Sequence, residues 1–312
     1  MRHIKRKLRR LRHHWPLAAR TRGFLVLGCG VIACLMVVSL SCTAAETDSV
    51  LRIMTWNIRY DNPDDGIHTW ALRKEKLSAF IRSQGVDLLC IQEGLESQVA
   101  FLKESHPGFD VRGVGRDDGK AKGEYSAIYF NKSRFGCLAA GTFWLAPTPL
   151  VPSRGWDAAL PRIVTWVRLH DSLTATDFTV FNTHFDHMGV VARDSSAALL
   201  RRKIAEIAGT SPFLLAGDFN SVDTDTPFRM LTSRDSTLPA LYDALTRSIS
   251  PPGGPAFTFT GFNVKDPESG ERIDYVFVSD GVRVLSHSTH AARRTEGYLS
   301  DHLPVAVDVS FR

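Results

Sequence analysis

Apolar residues recur along the chain in short, nearly continuous runs, over residues 51–59, 86–92, 125–130, 163–169, 178–183, 213–216, 273–278, 282–285 and 305–309. Several are apolar throughout rather than alternating, which is the pattern of strands buried on both faces. Between some of them the period changes to that of a helix. Ala197, Leu200, Ile204 and Ile207 recur at helical spacing before Gly209, which suits a C-terminal cap. Leu72, Lys76, Ala79, Phe80 and Ser83 fall on one side of a second helix that ends near Gly85. Strands in close succession near 125–185 and 257–310, with few helices between them, predict antiparallel pairing. The mixture predicts an α/β (α+β) fold in which sheets pack on each other with helices outside, rather than a doubly wound parallel sheet. No repeat, low-complexity tract or linker divides the stretch after residue 46, so residues 47–312 read as one domain.

A different pattern precedes it. Residues 23–43 read GFLVLGCGVIACLMVVSLSCT, without a charge, and follow a strongly basic stretch. Residues 1–46 therefore have the layout of a signal peptide or a membrane anchor, with the positive flank on the cytoplasmic side. Ser39-Leu40-Ser41-Cys42 resembles a lipoprotein cleavage site, with Ser where Leu is usual. Cleavage, lipidation at Cys42 and retention as an anchor all stay open, and each predicts an exported domain, secreted or held at the cell envelope.

That segment also changes the meaning of the net charge. The chain of 312 residues carries +5, but nine bases and no acids lie in residues 1–45. The remaining 29 bases against all 33 acids leave −4 on the rest. A basic whole-chain balance is thus not a nucleic-acid footprint on the domain. At 44% hydrophobic and 23% charged residues, the composition excludes disordered, collagenous and coiled-coil classes. The five cysteines make neither a disulfide framework nor a zinc site: three fall in the apolar segment, Cys90 sits in an apolar run, and Cys137 is isolated.

The informative polar residues stand at the ends of the apolar runs. They are Asn57, Gln92-Glu93, His184 with Asp186, Gly217-Asp218-Phe219-Asn220, Arg272-Ile273-Asp274-Tyr275, and Ser300-Asp301-His302-Leu303-Pro304. One Asp or Asn after a strand is an ordinary turn former. Six such sites rich in carboxylate, amide and imidazole and poor in thiol suit a hard ion, Mg²⁺ or Mn²⁺, together with acid–base histidines. Those are the parts that hydrolysis of a phosphate ester needs.

Taken in order, Met54-Thr55-Trp56-Asn57, Ile91-Gln92-Glu93, Asn182-Thr183-His184, Gly217-Asp218-Phe219-Asn220, Arg272-Ile273-Asp274-Tyr275 and Ser300-Asp301-His302-Leu303-Pro304 resemble the endonuclease/exonuclease/phosphatase superfamily, of which deoxyribonuclease I is a member. The resemblance implies a four-layer sandwich, two packed mixed β-sheets flanked by helices, with the site at one edge. It implies that Glu93, with Asn57 alongside and Asp301, binds metal. Asp218 and Asn220 would bind the phosphate and the nucleophilic water or a metal, and Asp274 would orient the catalytic His302. It further implies that His184, paired with Glu124, acts on the leaving group, and that Arg162 contacts the phosphate. Asp186, on the same strand face as His184, is a secondary member, and His187 is peripheral.

The expectation is an exported, Mg²⁺- or Mn²⁺-dependent phosphoesterase, a monomer that meets the membrane only through its N-terminal segment. Its substrate is a phosphodiester or a phosphomonoester. A nuclease acting on DNA or RNA is the alternative, which the domain charge does not favour, although Arg193, Arg201, Arg202 and Lys203 offer a local basic patch. A non-catalytic envelope binding protein on the same fold is the second alternative.

Overall fold

The computed structural model describes residues 50–234, 237–262 and 270–311. The basic and apolar N-terminal segment, with Cys29, Cys34 and Cys42, lies outside the described residues. Among those described, no helix is long and apolar enough to cross a membrane.

The strands are β1 Leu51–Asn57, β2 Leu88–Gly94, β3 Phe109–Arg112, β4 Tyr125–Asn131, β5 Phe135–Trp144, β6 Ile163–Asp171, β7 Thr176–His184, β8 Phe213–Asp218, β9 Tyr242–Asp243, β10 Asp274–Val278, β11 Val282–Thr289, β12 Arg293–Arg294, β13 Gly297–Tyr298 and β14 Val305–Phe311. The helices are α1 Trp70–Ser83, α2 Glu96–Ser105, α3 Val190–Ala208, α4 Thr226–Thr232 and α5 Ala244–Arg247.

Twelve of the strands form two six-stranded mixed sheets, in the orders β11-β14-β1-β2-β4-β3 and β5-β6-β7-β8-β10-β9, and β12 pairs with β13 in a two-stranded sheet. Each sheet has one parallel pair near its middle, β1 with β2 and β7 with β8. A parallel pair needs a crossover, and α1 and α3 supply it. The crossovers bring like strand ends together: Asn57 stands beside Gln92 in one sheet, and His184 beside Asp218 in the other. The functional edge of the molecule is therefore the C-terminal edge of both parallel pairs.

Alternation along β1 explains the layers. Leu51 and Ile53 point between the sheets and pack with Val180, Leu214, Ala216 and Val276 of the facing sheet, whereas Met54 and Trp56 point outward to Leu77 and Ile81 of α1. The second sheet repeats the device, with Phe181, Phe213, Leu215 and Phe277 covered by Ala197, Leu200 and Ile204 of α3. The result is the expected sandwich of two packed mixed sheets with helices outside. Near the functional edge the two sheets are also joined by polar groups. Gln92 Nε2 donates to Asn182 Oδ1 at 2.7 Å, and Asn182 Nδ2 donates to the carbonyls of Ile91 and Ala127 at 2.8 Å each.

Several expectations need correction. The first strand stops at Asn57 because Arg59 turns into left-handed backbone, φ 58°. The side of α1 carrying Leu72, Lys76, Ala79 and Ser83 faces outward; Trp70, Arg73, Leu77 and Ile81 are the buried face. Strands β3 and β5 and helix α2 carry no clear apolar period and emerge only in the structure. Of the four bases read as a local patch, Arg201 is buried and donates to Ser233, Lys203 pairs with Glu206 and Arg193 donates to the Asp186 carbonyl, while Arg202 is exposed.

Candidate active site

The two strand-end clusters meet in one cleft of about 420 Å³, lined by Arg59, Tyr60, Glu93, Glu124, Leu160, Arg162, His184, His187, Asp218, Asn220, Phe259, Asp301 and His302. Its floor is built by interlocking the sequence motifs. Trp56 Nε1 donates to the His302 carbonyl at 3.0 Å, and Ser300 Oγ donates to the Asn57 carbonyl at 2.7 Å, so the end of β1 carries the loop before β14. Thr258 Oγ1 accepts the amides of Ile273 and Asp274 at the start of β10. Its carbonyl accepts Leu303 N–H, which sets Asp274 against His302.

His302 Nδ1 lies 2.8 Å from Asp274 Oδ2, the expected orienting pair, and both are buried. The bond to the carboxylate places the Nδ1 proton there and turns Nε2 into the cleft, 3.7 Å from Asp218 Oδ2. Burial disfavours the charged imidazolium, yet Asp274, then Asp218 and Asp301, outweigh it and hold His302 well above the usual histidine range. Asp218 sits between the two histidines, its Oδ2 also 3.4 Å from His184 Nε2. Burial pushes Asp218 up to about 7, with His302 opposing and Asp274 adding. One side of the cleft thus holds a cationic imidazole beside a carboxyl group poised near neutrality.

Asn57 bridges the carboxylates, its Nδ2 donating to Glu93 Oε1 at 2.9 Å and to Asp218 Oδ2 at 3.0 Å. Its orientation is fixed by the Arg59 amide, which donates to Oδ1 at 3.0 Å. Glu93 itself stands at φ 65°, beside the register shift in β2, and Asn220 at φ 45°. Positive φ in residues other than glycine is costly and is retained where the surroundings demand it. Asp301 is buried; its pKa is raised by burial first, with His302 opposing and Glu93 adding. Carboxylates facing one another are a natural cation site, and the oxygens of Glu93 and Asp301 suit a hard divalent ion, with Asn57 beside them turning its amide nitrogen to the carboxylates and its oxygen to the Arg59 amide. Among the described residues, Asp218, Asp274 and His302 also bring ligand atoms within 4.8 Å of one another. There, however, His302 Nδ1 and Asp274 are already spent on each other.

The opposite wall departs from expectation. Glu124 makes no hydrogen bond to His184. Its carboxylate is held by Arg116 through Nη1 at 2.5 Å and Nη2 at 2.9 Å. Burial, reinforced by Glu93 and opposed by Arg116, pushes Glu124 up to about 7. His184 is neutral, its pKa driven well down by burial and by Arg162 and Arg116. Asn220 Nδ2 lies 3.0 Å from His184 Nε2 and donates to the Phe185 carbonyl at 3.0 Å.

Arg162 is buried rather than a surface residue and lines the cleft as expected. Asp186 does not share the His184 strand face: it lies beyond the end of β7, and its carboxylate accepts Arg162 Nε and the amides of Ala159, Leu160, Met188 and Gly189. Those amides, against the cost of burial, bring its pKa down to about 2. It orders Arg162 and the neighbouring loop from behind. His187, read as peripheral, lines the cleft with its Nδ1 2.9 Å from Arg162 Nη2. Arg59, Tyr60, Leu160 and Phe259 carried no sequence signal of their own. The acidic loop after β1 proves to serve Arg59, which Asp65 grips through two contacts of 3.0 Å.

Comparison with known proteins agrees with this geometry. The sequence model of the Endonuclease/Exonuclease/phosphatase family matches residues 54–302, a span that holds every one of these candidate residues. An endonuclease/exonuclease/phosphatase from Bacteroides vulgatus is 39% identical and superposes with a TM-score of 0.80, over 84% of this chain and 99% of that one. A mannosyl-6-phosphatase from Bacteroides thetaiotaomicron is 35% identical with a TM-score of 0.75, over 84% of this chain and all of that one. An uncharacterized protein of Acanthamoeba polyphaga mimivirus is 26% identical over 166 residues, 50% of this chain and 61% of that protein's length. With about four-fifths of the chain matched by the family model and the strand-end motifs gathered in one cleft, the chain belongs to the Endonuclease/Exonuclease/phosphatase family and is a hydrolase of phosphate esters.

Proposed function

We propose that this protein is an exported, Mg²⁺- or Mn²⁺-dependent phosphatase that acts on small phosphomonoesters, sugar phosphates foremost. The observation that carries the reading is the convergence in one cleft of the His302–Asp274 pair, Asp218 and the Glu93–Asn57–Asp301 group. A bounded cleft of about 420 Å³ suits a small ligand better than a polymer. The mannosyl-6-phosphatase relative supports the same class, and the −4 charge of residues 46–312 gives no long-range attraction to a polyanion. The basic-then-apolar N-terminal segment supports export.

Glu93 and Asp301, with Asn57 beside them, would hold the divalent ion, which when bound supplies positive charge to the phosphate oxygens. His302, cationic and held by Asp274, faces the phosphate and stabilises charge that builds there. Asp218, with a pKa near neutrality, accepts the proton of the attacking water. Arg162 binds the phosphate from the other wall, its guanidinium kept in place by Asp186. Asn220 orients the His184 ring beside the departing oxygen.

The test is phosphate release by the purified protein from mannose 6-phosphate, glycerol phosphate, bis(p-nitrophenyl) phosphate, sphingomyelin, DNA and RNA, each with Mg²⁺, with Mn²⁺ and with chelator. The reading expects metal-dependent turnover that is greatest on the sugar phosphate. Turnover confined to nucleic acid or sphingomyelin would contradict it.

A further inference from the structure

Beside the cleft, and sharing Glu124, Arg162 and His184 with it, lies a recess of about 10 Å³, to which Arg116 also contributes. That volume admits one oxygen atom and little more. Three buried nitrogens of its lining residues have no hydrogen-bond partner among the described residues: Arg116 Nε, Arg162 Nη1 and His184 Nδ1. All three are donors. For the guanidinium groups this is intrinsic. For His184 it follows from Asn220, whose amide nitrogen is identified by its bond to the Phe185 carbonyl. That nitrogen also faces His184 Nε2, so Nε2 accepts and the proton of the neutral ring is on Nδ1.

Buried donors without acceptors are costly, and three in one recess call for an acceptor there. Arg116 is firmly placed for this. Its amide donates to the Glu124 carbonyl at 3.1 Å, and its carbonyl accepts Trp144 Nε1 at 2.7 Å. Glu124 occupies Nη1 and Nη2, and Nε, 3.9 Å from Asp117 Oδ1, is left without a hydrogen bond among the described residues. Both guanidinium groups already have carboxylate partners, Glu124 and, at 3.9 Å, Asp117 for Arg116 and Asp186 for Arg162, so it is the unmet donors rather than net charge that mark the recess for an acceptor.

We propose that this recess takes one unsubstituted oxygen of a terminal phosphate, and that Arg116, a second phosphate-recognising arginine beside Arg162, makes the cleft prefer phosphomonoesters to phosphodiesters. The inference rests on the phosphoesterase reading above. A phosphodiester has two bare oxygens and a monoester three, so only a monoester can fill the recess while presenting two bare oxygens to the rest of the cleft, and an ester oxygen bearing carbon is too large to take the recess instead.

The test uses the full protein and inorganic phosphate as the binding probe, followed by calorimetry, together with kcat/KM on p-nitrophenyl phosphate and bis(p-nitrophenyl) phosphate. Arg116→Met is expected to weaken phosphate binding by about tenfold or more and to lower the monoester-to-diester ratio by a similar factor. Arg116→Lys, which keeps the charge, recovers part of both. Glu124→Gln removes the counter-charge of Arg116 and binds phosphate at least as tightly as the wild type, even where turnover falls. Melting temperatures identify a variant that has lost its fold, in which case the Lys and Gln variants decide. Turnover by the wild type with phosphate affinity unchanged in both Arg116 variants overturns this inference alone. Equal weakening in Glu124→Gln also overturns it, because Arg116 would then act only as a holder of Glu124. A wild type that neither binds phosphate nor hydrolyses either ester overturns both readings.

Discussion

At the scale of single residues, the cleft depends on which partner each polar atom already has. His302 can face the phosphate through Nε2 because Asp274 has taken Nδ1. Asp274→Asn keeps the shape but removes the charge that holds the imidazolium, so kcat is expected to fall by roughly 10²–10³ while the melting temperature stays close to that of the wild type. Steady-state kinetics with a thermal melt check this; a kcat within threefold of the wild type would remove the pair from the mechanism. This pair was legible in the sequence, since Asp274 and His302 both flank strands in recognisable runs. The Glu124–His184 pair was misread for a physical reason. Arg116 competes for the same carboxylate from a loop eight residues earlier, and nothing in the period or composition of that loop announces it.

At the scale of elements, the parallel pairs decide whether a site exists. Gly217, φ 153°, lets β8 lie close against β7, where an added Cβ would overlap the Thr183 carbonyl oxygen. Gly217→Ala must push the strands apart next to His184 and Asp218, and is expected to cost at least tenfold in kcat along with stability. The Asn182–Gln92 link does comparable work between the sheets. Asn182→Leu leaves the Ile91 and Ala127 carbonyls and Gln92 Nε2 without it, and is expected to lower unfolding free energy by about 2–4 kcal/mol in urea titration. An unchanged midpoint would show the link to be dispensable. The continuous apolar strands were readable because burial on both faces leaves little choice of residue. The inner side of α1 was not, because it is partly polar: Arg73 is buried there and donates to the carbonyls of His68, Ile58 and Leu299, which a hydrophobic pattern cannot register. Strand β5 was missed because its middle is small and exposed.

At the scale of the whole molecule, pH and metal act in different places. His287, buried in β11 away from the cleft residues, is brought from 6.5 down to about 4 by burial, with Asp243 opposing and Arg272 adding. The unfolded chain takes up this proton near pH 6.5 and the folded chain only near 4. Its contribution is therefore intact above pH 6.5 and is lost as pH falls through that window, by up to about 3 kcal/mol. Denaturant midpoints between pH 7 and 5 should drop more steeply in the wild type than in His287→Leu, and parallel slopes would contradict this. In the cleft the carboxylates of Glu93, Asp218 and Asp301 crowd one another. Saturating Mg²⁺ is therefore expected to stabilise the fold by about 2–3 kcal/mol at a hundredfold excess over its Kd, read as a melting temperature several degrees higher that chelator reverses.

The most direct test of the central claim is phosphate release from mannose 6-phosphate by the purified protein in Mg²⁺, measured beside His302→Ala and beside the wild type in excess chelator. The account predicts turnover in the first and a loss of at least a hundredfold in the other two with the fold intact. Equal release in all three would contradict it.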